Sequence, residues 1–78
     1  MLGIGERKAR RLARELKAKR LARIARVKRF LENKFDRLSS QYNPQADLDT
    51  QWSIYRQLID LDTAYRKLES VENWLKDN

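Results

Sequence analysis

Ser39-Ser40-Gln41-Tyr42-Asn43-Pro44 separates two long stretches that contain nothing to break a helix. Upstream, Glu6 to Ser39 has no Gly and no Pro and is rich in Ala, Leu, Arg and Lys, all good helix formers. Downstream, the stretch from Pro44 to Lys76 is equally free of breakers. Asn43 suits an N-cap and Pro44 the first helical position after it. The chain is therefore expected to be all-α, one domain over residues 1–78, with long helices at about 6–39 and 44–76. A short turn between them makes an antiparallel hairpin.

The apolar residues place the faces of this hairpin. In the first helix Leu12, Leu16, Ile24, Val27, Leu31, Phe35 and Leu38 recur at helical spacing, with Ala9 and Ala13, and Arg20 interrupts the line. In the second, Leu48, Trp52, Tyr55, Leu58 or Ile59, Leu61, Tyr65, Leu68, Val71 and Leu75 drift around the helix, as in supercoiled pairs. Folding back at the turn sets Leu38 near Leu48, Phe35 near Trp52, Leu31 near Tyr55 and Val27 near Ile59. These eight are the expected core. Asp47 and Asp49 near the start of the second helix and Lys76 near its end match the helix dipole. Asp62–Arg66, Glu72–Lys76, Glu6–Arg10 and Glu15–Lys19 have favourable i,i+4 spacing. The echo of Asp47-Leu48-Asp49-Thr50-Gln51-Trp52 in Asp60-Leu61-Asp62-Thr63-Ala64-Tyr65 offers a second possibility. There the second helix is broken near 60–62, with an Asp capping a third helix.

Composition narrows the function. Seventy-eight residues support a limited core, and scaffolds of this size usually need a staple. There is no Cys and no His, so disulfides, thiolate zinc sites and imidazole ligands are unavailable to the chain. The staple is expected to be a larger protein complex or self-association, in the cytoplasm or another reducing intracellular compartment. No signal-peptide core is expected in Met1-Leu2-Gly3-Ile4-Gly5, Leu2 fails the myristoylation pattern, and no apolar run could span a bilayer.

Charge divides the chain in two. Residues 1–40 carry 14 Lys/Arg against 4 Asp/Glu, and residues 41–78 carry 4 against 7. Residues 6–29 read as a basic arm and 30–78 as a hydrophobic, aromatic anchor. The arm holds Arg7, Lys8, Arg10, Arg11, Arg14, Lys17, Lys19, Arg20, Arg23, Arg26, Lys28 and Arg29, with Glu15 the one acid among them. Eight of the twelve are Arg, whose planar fork pairs bidentately with phosphate. A solvated helical face partly balanced by Glu69, Glu72 and Asp77 is the plain alternative. The excess in the first half is larger than the second half can answer.

These residues are the expected nucleic-acid contacts, with RNA favoured over DNA. A membrane is disfavoured, because an interfacial helix wants aromatic anchors and the arm has none before Phe30. The arm also has no Asn or Gln before Asn33 to read base edges, so backbone and shape recognition is expected. Like charges at i,i+3 and i,i+4, at the wrong end of the dipole, predict that residues 6–23 are helical mainly when a polyanion neutralises them. A basic helix leading into heptads is similar in layout to a bZIP protein. The Asn-bearing basic core of that family is missing and Pro44 ends the zipper early.

The aromatic second half points to a protein contact. Trp74 and Ile54 lie off the expected core line and are the candidate protein-interface residues. No catalytic constellation is visible: Ser39, Ser40, Ser53 and Ser70 lack a base partner. Asp47/Asp49 and Asp60/Asp62 at i,i+2 point apart on a helix, and Gly3 and Gly5 follow no strand. No enzyme, metal or cofactor is expected. The leading expectation is a structural or accessory component of a ribonucleoprotein such as a ribosome. The alternative is a helical assembly, adaptor or scaffolding protein, for example viral, docking on an acidic protein surface.

Overall fold

The structure is a computed structural model and describes residues 4–78; the leader, myristoylation and Gly3 expectations concern residues outside these. Two helices form an antiparallel hairpin, α1 over Ile4–Gln41 and α2 over Leu48–Asp77. It is a rod with extents of 71 × 15 × 14 Å. α2 passes through Asp60–Asp62 without interruption, so the three-helix alternative does not hold. The two Asp residues find no Gly or Pro beside them, and the backbone has no reason to stop there.

The link differs from the expected cap. The Asn43 carbonyl accepts from the Ala46 amide (3.0 Å), and Asn43 Oδ1 accepts from the Gln45 amide (2.9 Å). Asn43–Ala46 is thus a turn with Asn first and Pro second, the places these residues favour. α2 starts four residues later than Pro44, after Asp47, whose backbone is extended (φ −63, ψ 159). The first helical bond runs from the Gln51 amide to the Asp47 carbonyl (3.0 Å). The Gln51 side chain reaches back to the Pro44 and Ala46 carbonyls (3.0 and 2.7 Å), tying the link to the helix it introduces.

The helices meet along a seam whose spacing alternates between four and three residues, the heptad rhythm. On α1 it holds Lys17, Leu21, Ile24, Lys28, Leu31, Phe35 and Leu38. Facing them are Gln51, Ile54, Leu58, Leu61, Tyr65, Leu68, Glu72 and Leu75. All of these except Phe35 are withdrawn from water at least in part, and Ile24 (9% exposed) and Leu75 (8%) are the most buried.

This seam corrects the expected core. Leu31, Phe35 and Leu38 belong to it. Val27, Leu48, Trp52, Tyr55 and Ile59 do not, and all five are exposed; Leu48 reaches 80% and Trp52 58%. The physical reason is a step of one residue. Trp52, Tyr55 and Ile59 each follow a seam position of α2 by one, which rotates them about 100° away from α1, and Leu48 lies one turn before Trp52 on the same side. Aromatic bulk marks this outer strip, while the true seam carries Lys17, Lys28 and Glu72 among its apolar residues.

The molecule exposes 7001 Å². A compact chain of 9.4 kDa would expose about 5,000 Å². The hairpin leaves apolar surface uncovered on both helices.

Candidate nucleic-acid interface

The basic arm is one continuous helical surface. Of its twelve Lys and Arg, ten are exposed, and Lys17 and Lys28 sit in the seam. From Arg7 to Arg29 the helix rises about 33 Å. Among the described residues, Arg10 is the one exposed basic group of this arm with an acid partner, Glu6 at 2.7 Å. Glu15 and Lys19 make no ion pair. The remaining exposed charges face solvent.

The far end of the hairpin positions part of this arm. Ala13, Leu16, Lys17 and Arg20 share a shallow hollow with Trp74, Leu75 and Asn78. α2 ends at that level, where the Asn78 amide and side chain both close onto the Trp74 carbonyl (3.1 and 2.8 Å). Arg7, Lys8, Arg10 and Arg11 therefore lie beyond α2, on a stretch of helix with no neighbouring element among the described residues. An elongated polyanion could reach them from any side.

Lys28 is a correction to the expected contacts. Its side chain is only 16% exposed, and it donates to Glu72 (3.4 Å, itself 17% exposed) across the seam. Glu69 stands at 4.0 Å, and the ammonium sits 4.9 Å from the centroid of the Tyr65 ring. Tyr65 in turn donates to Glu32 (2.8 Å). Sequence spacing showed that the basic arm meets Glu69 and Glu72, but not that Lys28 is consumed there. The missed signal was its place in the four-three rhythm opposite Glu72.

The electrostatics of this layer follow from its partners. Partial burial works to lower the Lys28 pKa, but the hydrogen bond and charge of Glu72, helped by Tyr65, hold it above the ordinary lysine value. The Tyr65 hydroxyl is held above the ordinary tyrosine value by its hydrogen bond to Glu32, then by burial and the charge of Glu32, with Lys28 working against them. The expected i,i+4 pairs Asp62–Arg66 (3.0 Å) and Glu72–Lys76 (3.5 Å) form on α2. Both are exposed enough on the basic side to contribute little.

The two expected protein-interface residues separate. Ile54 is a seam residue, partly withdrawn from water. Trp74 is 61% exposed, beside Leu16 at the open end of the rod. Among the described residues, no three His, Cys, Asp or Glu side chains converge as metal ligands, and no helix is long and apolar enough to cross a membrane. Comparison with protein-family models, with curated proteins and with solved structures finds no match to this chain.

Proposed function

We propose that this is a small, non-catalytic nucleic-acid-associated protein that grips phosphate backbones with α1, RNA in preference to DNA, as a structural or accessory part of a ribonucleoprotein in a reducing intracellular compartment. The observation that carries the reading is the row of ten exposed basic side chains on one unbroken helix, four of them beyond the end of α2. Phosphate contact needs basic density and little else. Arg7, Lys8, Arg10, Arg11 and Arg14 form the outer grip, and Lys19, Arg20, Arg23, Arg26 and Arg29 extend it along the rod. Lys28 has a structural task instead.

The test is binding of the purified, nucleic-acid-free chain to structured RNA and to duplex DNA of equal length across a salt series. Binding should weaken steeply with salt and depend little on sequence, with RNA ahead. Replacing Arg7, Arg10, Arg11 and Arg14 together by Glu should abolish it. Affinity unchanged by that replacement would end the proposal.

The exposed Trp74, Val71 and Leu16 favour a second reading, an adaptor docking on an acidic protein surface. A pull-down from native lysate with and without nuclease separates the two. Partners lost on digestion support the nucleic-acid reading, and partners retained support the adaptor.

A further inference from the structure

The outer strip of α2 is a second apolar seam without a helix against it. Leu48, Trp52, Tyr55 and Ile59 follow one another at intervals of four, three and four residues, parallel to the seam that holds α1. All four are exposed. Trp52 and Tyr55 lie with ring centroids 5.6 Å apart and planes tilted by 31°, and with Tyr42 and Leu48 they line an open hollow. The strip ends at Ile59, because its next two positions are Asp62 and Arg66.

We infer that this strip is the contact between two copies of the chain, with the α2 helices packed antiparallel about a two-fold axis between Trp52 and Tyr55. In that register Leu48 meets Ile59 of the second copy and Trp52 meets its Tyr55. Charge supports both the occupant and the direction. Asp49 and Arg56 lie two turns apart on one flank of the strip, on the same surface as Trp52. Neither has an ion-pair partner within the chain, among the described residues. Antiparallel packing brings Asp49 of each copy to Arg56 of the other, twice by symmetry. Parallel packing would instead set this flank against the opposite flank of the second copy, which carries Gln51 and Leu58, and would leave Asp49 and Arg56 without each other. It would also lay the two basic arms side by side, whereas the antiparallel arrangement sends them to opposite ends.

The area fits a dimer of moderate strength. With Tyr42, the strip offers roughly 500 Å² per copy, taking on the order of 100 Å² for each half-exposed large side chain. The total of about 1,000 Å² lies at the lower bound of specific interfaces, so association belongs in the micromolar range. The association is independent of the nucleic-acid reading and is measured on protein free of nucleic acid.

Sedimentation equilibrium across the micromolar range, with circular dichroism as a check on helicity, tests it. The wild-type chain should move from 9.4 kDa toward twice that mass. Trp52→Ser should remain a monomer with helicity unchanged. Arg56→Asp and Asp49→Arg change exposed positions, and each alone should weaken association about tenfold or more. Mixed in equal amounts, these two variants should pair with each other better than either does with itself, because the opposite charges then meet in both pairs. A wild-type chain that stays monomeric throughout, or a mixture that associates no better than its components, overturns the proposal.

Discussion

At the scale of single residues, the seam sorts side chains that the sequence presents as equals. Ile24 and Val27 are both β-branched, three residues apart, yet one is buried and the other half open to water. Ile24→Ala should therefore cost ~2–3 kcal/mol and Val27→Ala under ~1 kcal/mol, measured by urea denaturation followed by circular dichroism. The opposite ranking would mean that the helices meet on the other face. The Lys28–Glu72 pair is a partly buried ion pair in a mostly apolar line, so its two members depend on each other. Lys28→Leu or Glu72→Leu alone should lower the melting temperature, and the double replacement should recover it. Both Lys28 and Tyr65 have folded pKa values above their unfolded ones, so the folded chain binds protons more tightly there. Their stabilising contribution is complete below the ordinary tyrosine value of 10.0 and drains away as pH rises through the folded values. Thermal melts should thus weaken in the alkaline range, and Tyr65→Phe should remove part of that dependence. A melting temperature flat through this range would show that the layer does not titrate as described.

At the scale of elements, existence was legible and orientation was not. The two helices follow from what is absent, since no Gly or Pro lies between Glu6 and Gln41 or within α2, and Asn43-Pro44 marks the place where the chain reverses. Which side of α2 faces α1 was hidden because two apolar lines run one residue apart, and the line richer in aromatics is the outer one. On α1 the seam is disguised by Lys17 and Lys28, and Leu21 between them falls outside the expected apolar line. The basic arm itself was visible in composition alone, whereas the withdrawal of Lys28 required the register. Gln51 is similarly invisible in sequence as the tie of the link, and Gln51→Ala should cost ~1 kcal/mol by releasing the Pro44 and Ala46 carbonyls. Among the described residues, the outer end of α1 is held by its own backbone bonds and the exposed Glu6–Arg10 pair, with crowded positive charge at the N-terminus of the dipole. Its helicity should rise on adding RNA at low salt, seen as a gain in the far-ultraviolet circular dichroism signal of the protein. A full signal before any addition would rule out coupled ordering.

At the scale of the whole molecule, the rod keeps its two chemistries apart. The exposed aromatic residues other than Trp74 gather in the half nearer the link, and the unpaired basic groups of the arm toward the open end. Neutralising the arm should release counterions in proportion to the phosphates engaged. The logarithm of the RNA affinity should then fall with the logarithm of salt at a slope of roughly −0.7 to −0.9 per contact. Charge reversal at Arg7, Arg10, Arg11 and Arg14 should flatten that slope, while Lys67→Glu on α2 should leave it nearly unchanged. Equal effects from both would mean that net charge alone matters.

The single link has a consequence in time. Tyr42 and Gln51 are 9 residues apart in the chain, Glu32 and Tyr65 33, and Lys28 and Glu72 44. Each step outward closes a longer loop, so the hairpin should assemble as a zipper from Asn43-Pro44 and open from the other end. Amide exchange should accordingly be slowest in the inner part of the seam and quicken toward Leu16 and Trp74. On the proposed reading, a polyanion held by the arm would sit at the end of the rod where the zipper starts to open.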